Sequence, residues 1–115
     1  MIMRRNIIVT GASRGIGRAI ALSLANEETS LLISCSKSAA KLNEVKALIE
    51  EKGARCETYI GDMGNYSDAM KMFDLAFQSF GHVDILINNA GISMVGLFQD
   101  MTADAVDLMK KAAAY

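Results

Sequence analysis

The stretch Thr10-Gly11-Ala12-Ser13-Arg14-Gly15-Ile16-Gly17 constrains this chain more than any other. Ahead of it, Asn6 to Thr10 (NIIVT) reads as a buried strand; behind it, Ile16, Ile20 and Leu24 recur four apart, as on the inner face of a helix. Between the two the backbone must reverse sharply, approach a ligand closely and enter a helix. Gly11, Gly15 and Gly17 each remove a Cβ that would obstruct one of those steps. The helix that follows presents unpaired N–H groups and the positive end of its dipole, which suit a pyrophosphate, and the Ser13 hydroxyl adds a donor.

The rest of the chain repeats the strand-to-helix pattern. Leu31 to Cys35 (LLISC) reads as a second strand. Ser38 to Lys52 reads as an amphipathic helix with Leu42, Val45, Leu48 and Ile49 on one face and Gly53 placed to end it. Arg55 to Ile60 alternates as a third strand does, and Asn65 can cap a helix whose inner face is Ala69, Phe73, Ala76, Phe77 and Phe80, with Gly81 after it. Val83 to Asn88 (VDILIN) reads as a fourth strand, and residues 102–113 as a final helical piece. Right-handed crossovers then predict an α/β fold: a Rossmann-like three-layer αβα sandwich on a parallel sheet of order 3-2-1-4, in one partial domain over residues 1–115.

Composition narrows the class. The 115 residues carry a net charge of −1, with no basic surplus to draw the chain to nucleic acid or an acidic membrane. No run approaches the roughly 18 apolar residues of a membrane span. Cys35 and Cys56 lack the close spacing of a metal or redox pair and are read as buried, reduced thiols of a cytoplasmic protein.

After the second strand, NAD-binding chains place a carboxylate that accepts from the ribose hydroxyls. Here the segment is Cys35-Ser36-Lys37-Ser38, without an acid, and Arg14 reaches toward the same ribose from the turn. Two cations and no carboxylate favour NADP(H) over NAD(H), because guanidinium and ammonium groups form charge-assisted bonds to a 2′-phosphate.

With the turn, the second strand and Asp84 to Gly91 (DILINNAG) in view, the chain resembles the short-chain dehydrogenase/reductase family, on the side of its 3-oxoacyl-acyl-carrier-protein reductases. Residues Thr10 to Gly17 match the family's TGxxxGxG turn, Ile16 included, and Asn88-Asn89-Ala90-Gly91 its NNAG motif. The resemblance implies that Asp62 and Met63 border the adenine, with the Asp62 carboxylate accepting from the exocyclic amine. It also implies that Asn88, Ala90 and Gly91 line the cofactor near the adenine-side ribose and brace the sheet.

The family's reaction would use a tyrosine as general acid, a lysine four residues later, a serine and a further asparagine, all of them beyond the fourth strand. Tyr59 and Tyr66 are followed at the fourth residue by Met63 and Met70, Tyr115 is the last residue, and no asparagine follows Asn89. His82 stands alone at a helix–strand junction and reads as a surface or capping residue. Two functional readings stand. One is an NADP(H)-dependent reductase of a ketone, such as a 3-oxoacyl thioester in fatty acid biosynthesis; the other is a truncated nucleotide-binding half-domain without catalysis. The apolar fourth strand, VDILI, lacks the charges that protect an edge, so either a homo-oligomer covering that edge or an aggregating monomer is expected.

Overall fold

A computed structural model of the chain describes residues 4–89. Its elements run β1 (Arg5–Val9), α1 (Gly15–Leu24), β2 (Thr29–Cys35), α2 (Ala39–Glu51), β3 (Arg55–Ile60), α3 (Tyr66–Phe80) and β4 (Ile85–Ile87). The strands form one parallel sheet in the order β3-β2-β1-β4. The Rossmann-like α/β arrangement expected from the sequence is thus present. The final helical piece expected at residues 102–113 lies outside the described residues.

The order of strands dictates where the helices go. The chain winds outward through β1, β2 and β3 with α1 and α2 on one face, then α3 carries it back across the other face to β4. Each face has its own core. On the α1/α2 side, Ile7, Val9, Leu31 and Ile33 of the strands pack with Ala21, Leu42, Val45 and Ile49; on the α3 side, Ile8, Leu32 and Leu86 pack with Ala69, Met72, Phe73 and Ala76. A strand buried on both faces has no polar side, which is why β2 is buried over its whole length.

Helix boundaries follow from local chemistry. Asn65 caps α3 by accepting from the Asp68 N–H at 3.1 Å, and Gly81, with φ 86°, closes it. Gly53, with φ 91°, follows the Lys52 cap of α2, so Ser38 and Lys52 flank that helix and are not part of it.

One inner face differs from expectation. Ile16 is 72% exposed, and the residues of α1 buried against the sheet are Gly17 and Ala21, with Ile20 and Leu24 only partly covered. The cause is close approach: α1 starts so near the first turn that a side chain at residue 17 would overlap the Gly11 carbonyl. Small residues therefore face inward, and Ile16 is rotated out. In α3, Met72 joins the core, whereas Phe77 and Phe80 only border it.

Candidate functional site

At the carboxyl ends of the strands, where β1 turns into α1, a cleft of about 660 Å³ opens. Ligands of open parallel sheets bind at this end, where neighbouring connections leave in opposite directions and leave a crevice. Its wall is formed by Gly11, Ser13, Arg14 and Gly15 of the first turn, Ser34 to Ser38 and Lys41 from β2 and α2, Gly61 to Met63 after β3, and Asn89 after β4. Of the residues singled out from the sequence, the cleft brings together Gly11, Ser13, Arg14, Gly15, Ser36, Lys37, Asp62 and Met63.

Three others stand behind or beside that wall. Gly17 is buried beneath it, where a Cβ would also meet the Asn89 side-chain nitrogen at 2.7 Å. Asn88 is buried and accepts a hydrogen bond from the Thr10 hydroxyl at 2.9 Å, which ties the end of β4 to the end of β1. Ile16 is exposed at the start of α1. Ala90 and Gly91 lie outside the described residues.

The turn is held from two directions. The Ala12 N–H donates to the Ser34 carbonyl at 2.9 Å, and the Asn89 side chain donates to the Gly11 carbonyl at 3.4 Å while its own N–H donates to Thr10 Oγ1 at 2.8 Å. Gly11 and Gly15 take φ values of 63° and 61°, a region that favours glycine. Arg14 occupies the cap position of α1 without any side-chain cap, and the first turn of α1 contains no acid. A helix start of this kind leaves its N–H groups to an anion.

Charge in the cleft is uneven. Arg14, Lys37 and Lys41 contribute three cations to the wall against the single carboxylate of Asp62. Lys41 was not evident as a site residue, because in the sequence it is one more polar residue on the solvent side of an amphipathic helix. Its signal is its place in the first turn of α2, directly after the Ser36–Lys37 segment and at the same end of the sheet. In the NNAG motif the expected site residue is Asn88, whereas the structure puts its neighbour Asn89 in the wall.

Opposite the cations, the loop from β3 to α3 is tied down by carboxylates. Asp62 Oδ1 accepts from the Gly64 N–H at 2.8 Å, a turn-forming bond. Asp68 Oδ2 accepts from the Asp62 N–H at 3.0 Å and Oδ1 from the Tyr59 hydroxyl at 2.9 Å. The Asp62 N–H bond, with the Tyr59 bond second, holds the Asp68 carboxyl below the ordinary carboxylate range; burial and the nearby Asp68 push the Tyr59 hydroxyl up.

His82 is remote from all of this. It pairs with Asp84 at 3.1 Å at the opposite end of the sheet, where Asp84 also accepts from the Asn6 N–H at 2.8 Å. Both thiols are free and buried; Cys35 lines the cleft, and burial pushes the Cys56 thiol up to about 12. Among the described residues no helix is long and apolar enough to cross a membrane, and no cluster of three or more side chains could hold a metal.

Comparison with known proteins accords with this geometry. Residues 5–112 match the short chain dehydrogenase family. The chain belongs to that family. A sepiapterin reductase of Chlorobaculum tepidum is 32% identical over 111 residues, covering 91% of this chain and 46% of that protein. An L-rhamnose 1-dehydrogenase (NADP(+)) of Thermoplasma acidophilum is 36% identical over 107 residues, covering 93% and 41%. The crystal structure of a short chain dehydrogenase from Burkholderia cenocepacia in complex with NADP superposes with a TM-score of 0.76 at 34% identity, over 98% of this chain and 49% of that one. The chain therefore spans about half the length of the relatives it matches.

Proposed function

We propose that this chain works as an NADP(H)-dependent short-chain oxidoreductase that reduces a ketone. The observation that carries the reading is the set of three cations, Arg14 in the glycine turn and Lys37 and Lys41 beside it, on the wall of one cleft. Nothing else in the cleft calls for that much positive charge, and a dinucleotide with a 2′-phosphate supplies the anions to match it. The donor set fits the group in kind. The uncapped start of α1 with Gly11, Ser13 and Gly15 would hold the pyrophosphate, Arg14, Ser36, Lys37 and Lys41 the phosphorylated ribose, and Asp62 and Met63 the adenine.

When bound, the cofactor supplies the hydride. The residues of this chain bind and orient it: Asn88 and Asn89 lock the turn through Thr10 and Gly11, and Met63, buried on the α3 side, gives the base an apolar surface. Ala90 and Gly91, outside the described residues, are proposed to extend the ribose wall. The relative named as a reductase supports the choice of reaction, and the relative and the solved structure named with NADP support the choice of cofactor. Two free, buried thiols support a cytoplasmic setting.

The substrate class we favour is a 3-oxoacyl thioester, and the test is reduction of an acetoacetyl thioester by this chain with NADPH. Turnover supports the reductase reading. Saturable NADPH binding without turnover favours the second reading, a nucleotide-binding half-domain without catalysis.

A further inference from the structure

We infer that Asp68 and Tyr59 form a positioning pair that aims Asp62 at the adenine, so that preference for that base depends on a carboxylate outside the cleft wall. The inference rests on the proposed placement of adenine at Asp62 and adds what holds Asp62 there. Without support, Asp62 would be an exposed residue in a short loop between β3 and α3, free to swing. Instead it is fixed at both ends. Its N–H donates to Asp68 Oδ2 at 3.0 Å, and its own Oδ1 accepts from the Gly64 N–H at 2.8 Å, which turns the carboxylate and leaves Oδ2 as the oxygen with acceptor capacity to spare.

Asp68 is in turn fixed. Its N–H donates to the Asn65 cap at 3.1 Å, and its second carboxylate oxygen accepts from the Tyr59 hydroxyl at 2.9 Å. Tyr59 belongs to β3 and packs against the α3-side core, so the pair links strand, loop and helix into one rigid corner. Gly61 is an independent sign that the corner is built around this pair. A Cβ there would fall 2.5 Å from the Tyr59 ring and 2.9 Å from the Asp68 carboxyl carbon, so a side chain at residue 61, just after β3, would push the pair out of its present arrangement.

A purely structural role would weaken binding of every dinucleotide alike. A positioning role changes a ratio: the affinity for NADPH against that for its hypoxanthine analogue, which has a carbonyl in place of the exocyclic amine that Asp62 would accept from. One hydrogen bond to a charged group is worth about tenfold or more in affinity. The expected result is a preference of about tenfold for NADPH in the full 115-residue chain, falling to about twofold or less in Asp68→Ala. Asp68→Asn, which keeps an oxygen for the Asp62 N–H and an amide for Tyr59, restores most of it.

Tyr59→Phe, which removes one hydroxyl from the corner, provides the second variant should Asp68→Ala fail to fold, and it lowers the ratio in the same direction. An unchanged ratio in folded Asp68→Ala or Tyr59→Phe overturns the inference and leaves the cofactor proposal standing. Wild-type binding of NADPH and its hypoxanthine analogue with equal affinity overturns both the inference and the adenine placement at Asp62. Failure of the wild-type chain to bind either dinucleotide overturns the cofactor proposal itself.

Discussion

Gly15 and Gly17 stand two residues apart and are glycine for different reasons. Gly15 has a φ of 61° with open space where a Cβ would sit; Gly17 has its Cβ position blocked by the Gly11 carbonyl and the Asn89 side chain. Alanine at 15 therefore meets only the backbone penalty of a left-handed residue, about 1–2 kcal/mol. Alanine at 17 has to push the turn away from the helix, against a backbone atom that cannot rotate aside, and costs about 3 kcal/mol. Thermal unfolding is expected to rank Gly17→Ala below Gly15→Ala, and NADPH titration to show a larger loss for it. The thiols differ in the same local way. Cys56, with its thiol pushed up to about 12, is expected to stay unreacted toward a thiol reagent at pH 8 in the native chain and to react once the chain is unfolded. The glycine spacing was legible in sequence because a tight turn demands it; the outward rotation of Ile16 was not, because it follows from the packing of Gly17 against the Gly11 carbonyl and the distant Asn89 side chain.

At the scale of elements, each end of the sheet is joined by a polar link. Thr10 Oγ1 donates to Asn88 and accepts from the Asn89 N–H, which fastens β4 to β1 just below the cleft. Thr10→Val removes both bonds and leaves the buried Asn88 side chain and the half-buried Asn89 N–H just after β4 without this partner, a loss of about 2–4 kcal/mol, and hydrogen exchange is expected to speed up in β4 before it does in β2. The β3–α3 corner carries a pH dependence. Because the Asp68 pKa is lowered in the fold, its contribution is fully present above the usual carboxylate range, near pH 4, and is lost as pH falls through the lowered value. The melting-temperature gap between wild type and Asp68→Asn is accordingly expected to be flat from pH 6 to 8 and to close below about pH 4; a gap that widens on acidification contradicts this. Among the described residues strand and helix identity were legible, since 3.6-residue and buried-strand patterns set them locally. Asn65 announced its own cap, but the partnership of Tyr59 with Asp68 was not visible, because it joins a strand to a helix across Gly61.

For the molecule as a whole, fold and charge point to one ligand at one end of one sheet. Among the described residues β4 is the terminal strand of the sheet beside β1, with Leu86 and Ile87 buried and few charges to discourage pairing. The glycine turn and Lys37 marked the cleft in advance, whereas Lys41 and Asn89 entered it only through the packing of α2 and the end of β4. The central claim is that the cleft takes a dinucleotide bearing a 2′-phosphate, and a fluorescence titration of the chain with NADPH, against NADH as control, tests it most directly. Saturable binding at least tenfold tighter for NADPH, a preference reduced in Arg14→Ala and Lys41→Ala, is the expected result, from charge-assisted contacts of the kind those side chains make. Equal affinity for the two, or binding of neither, contradicts it.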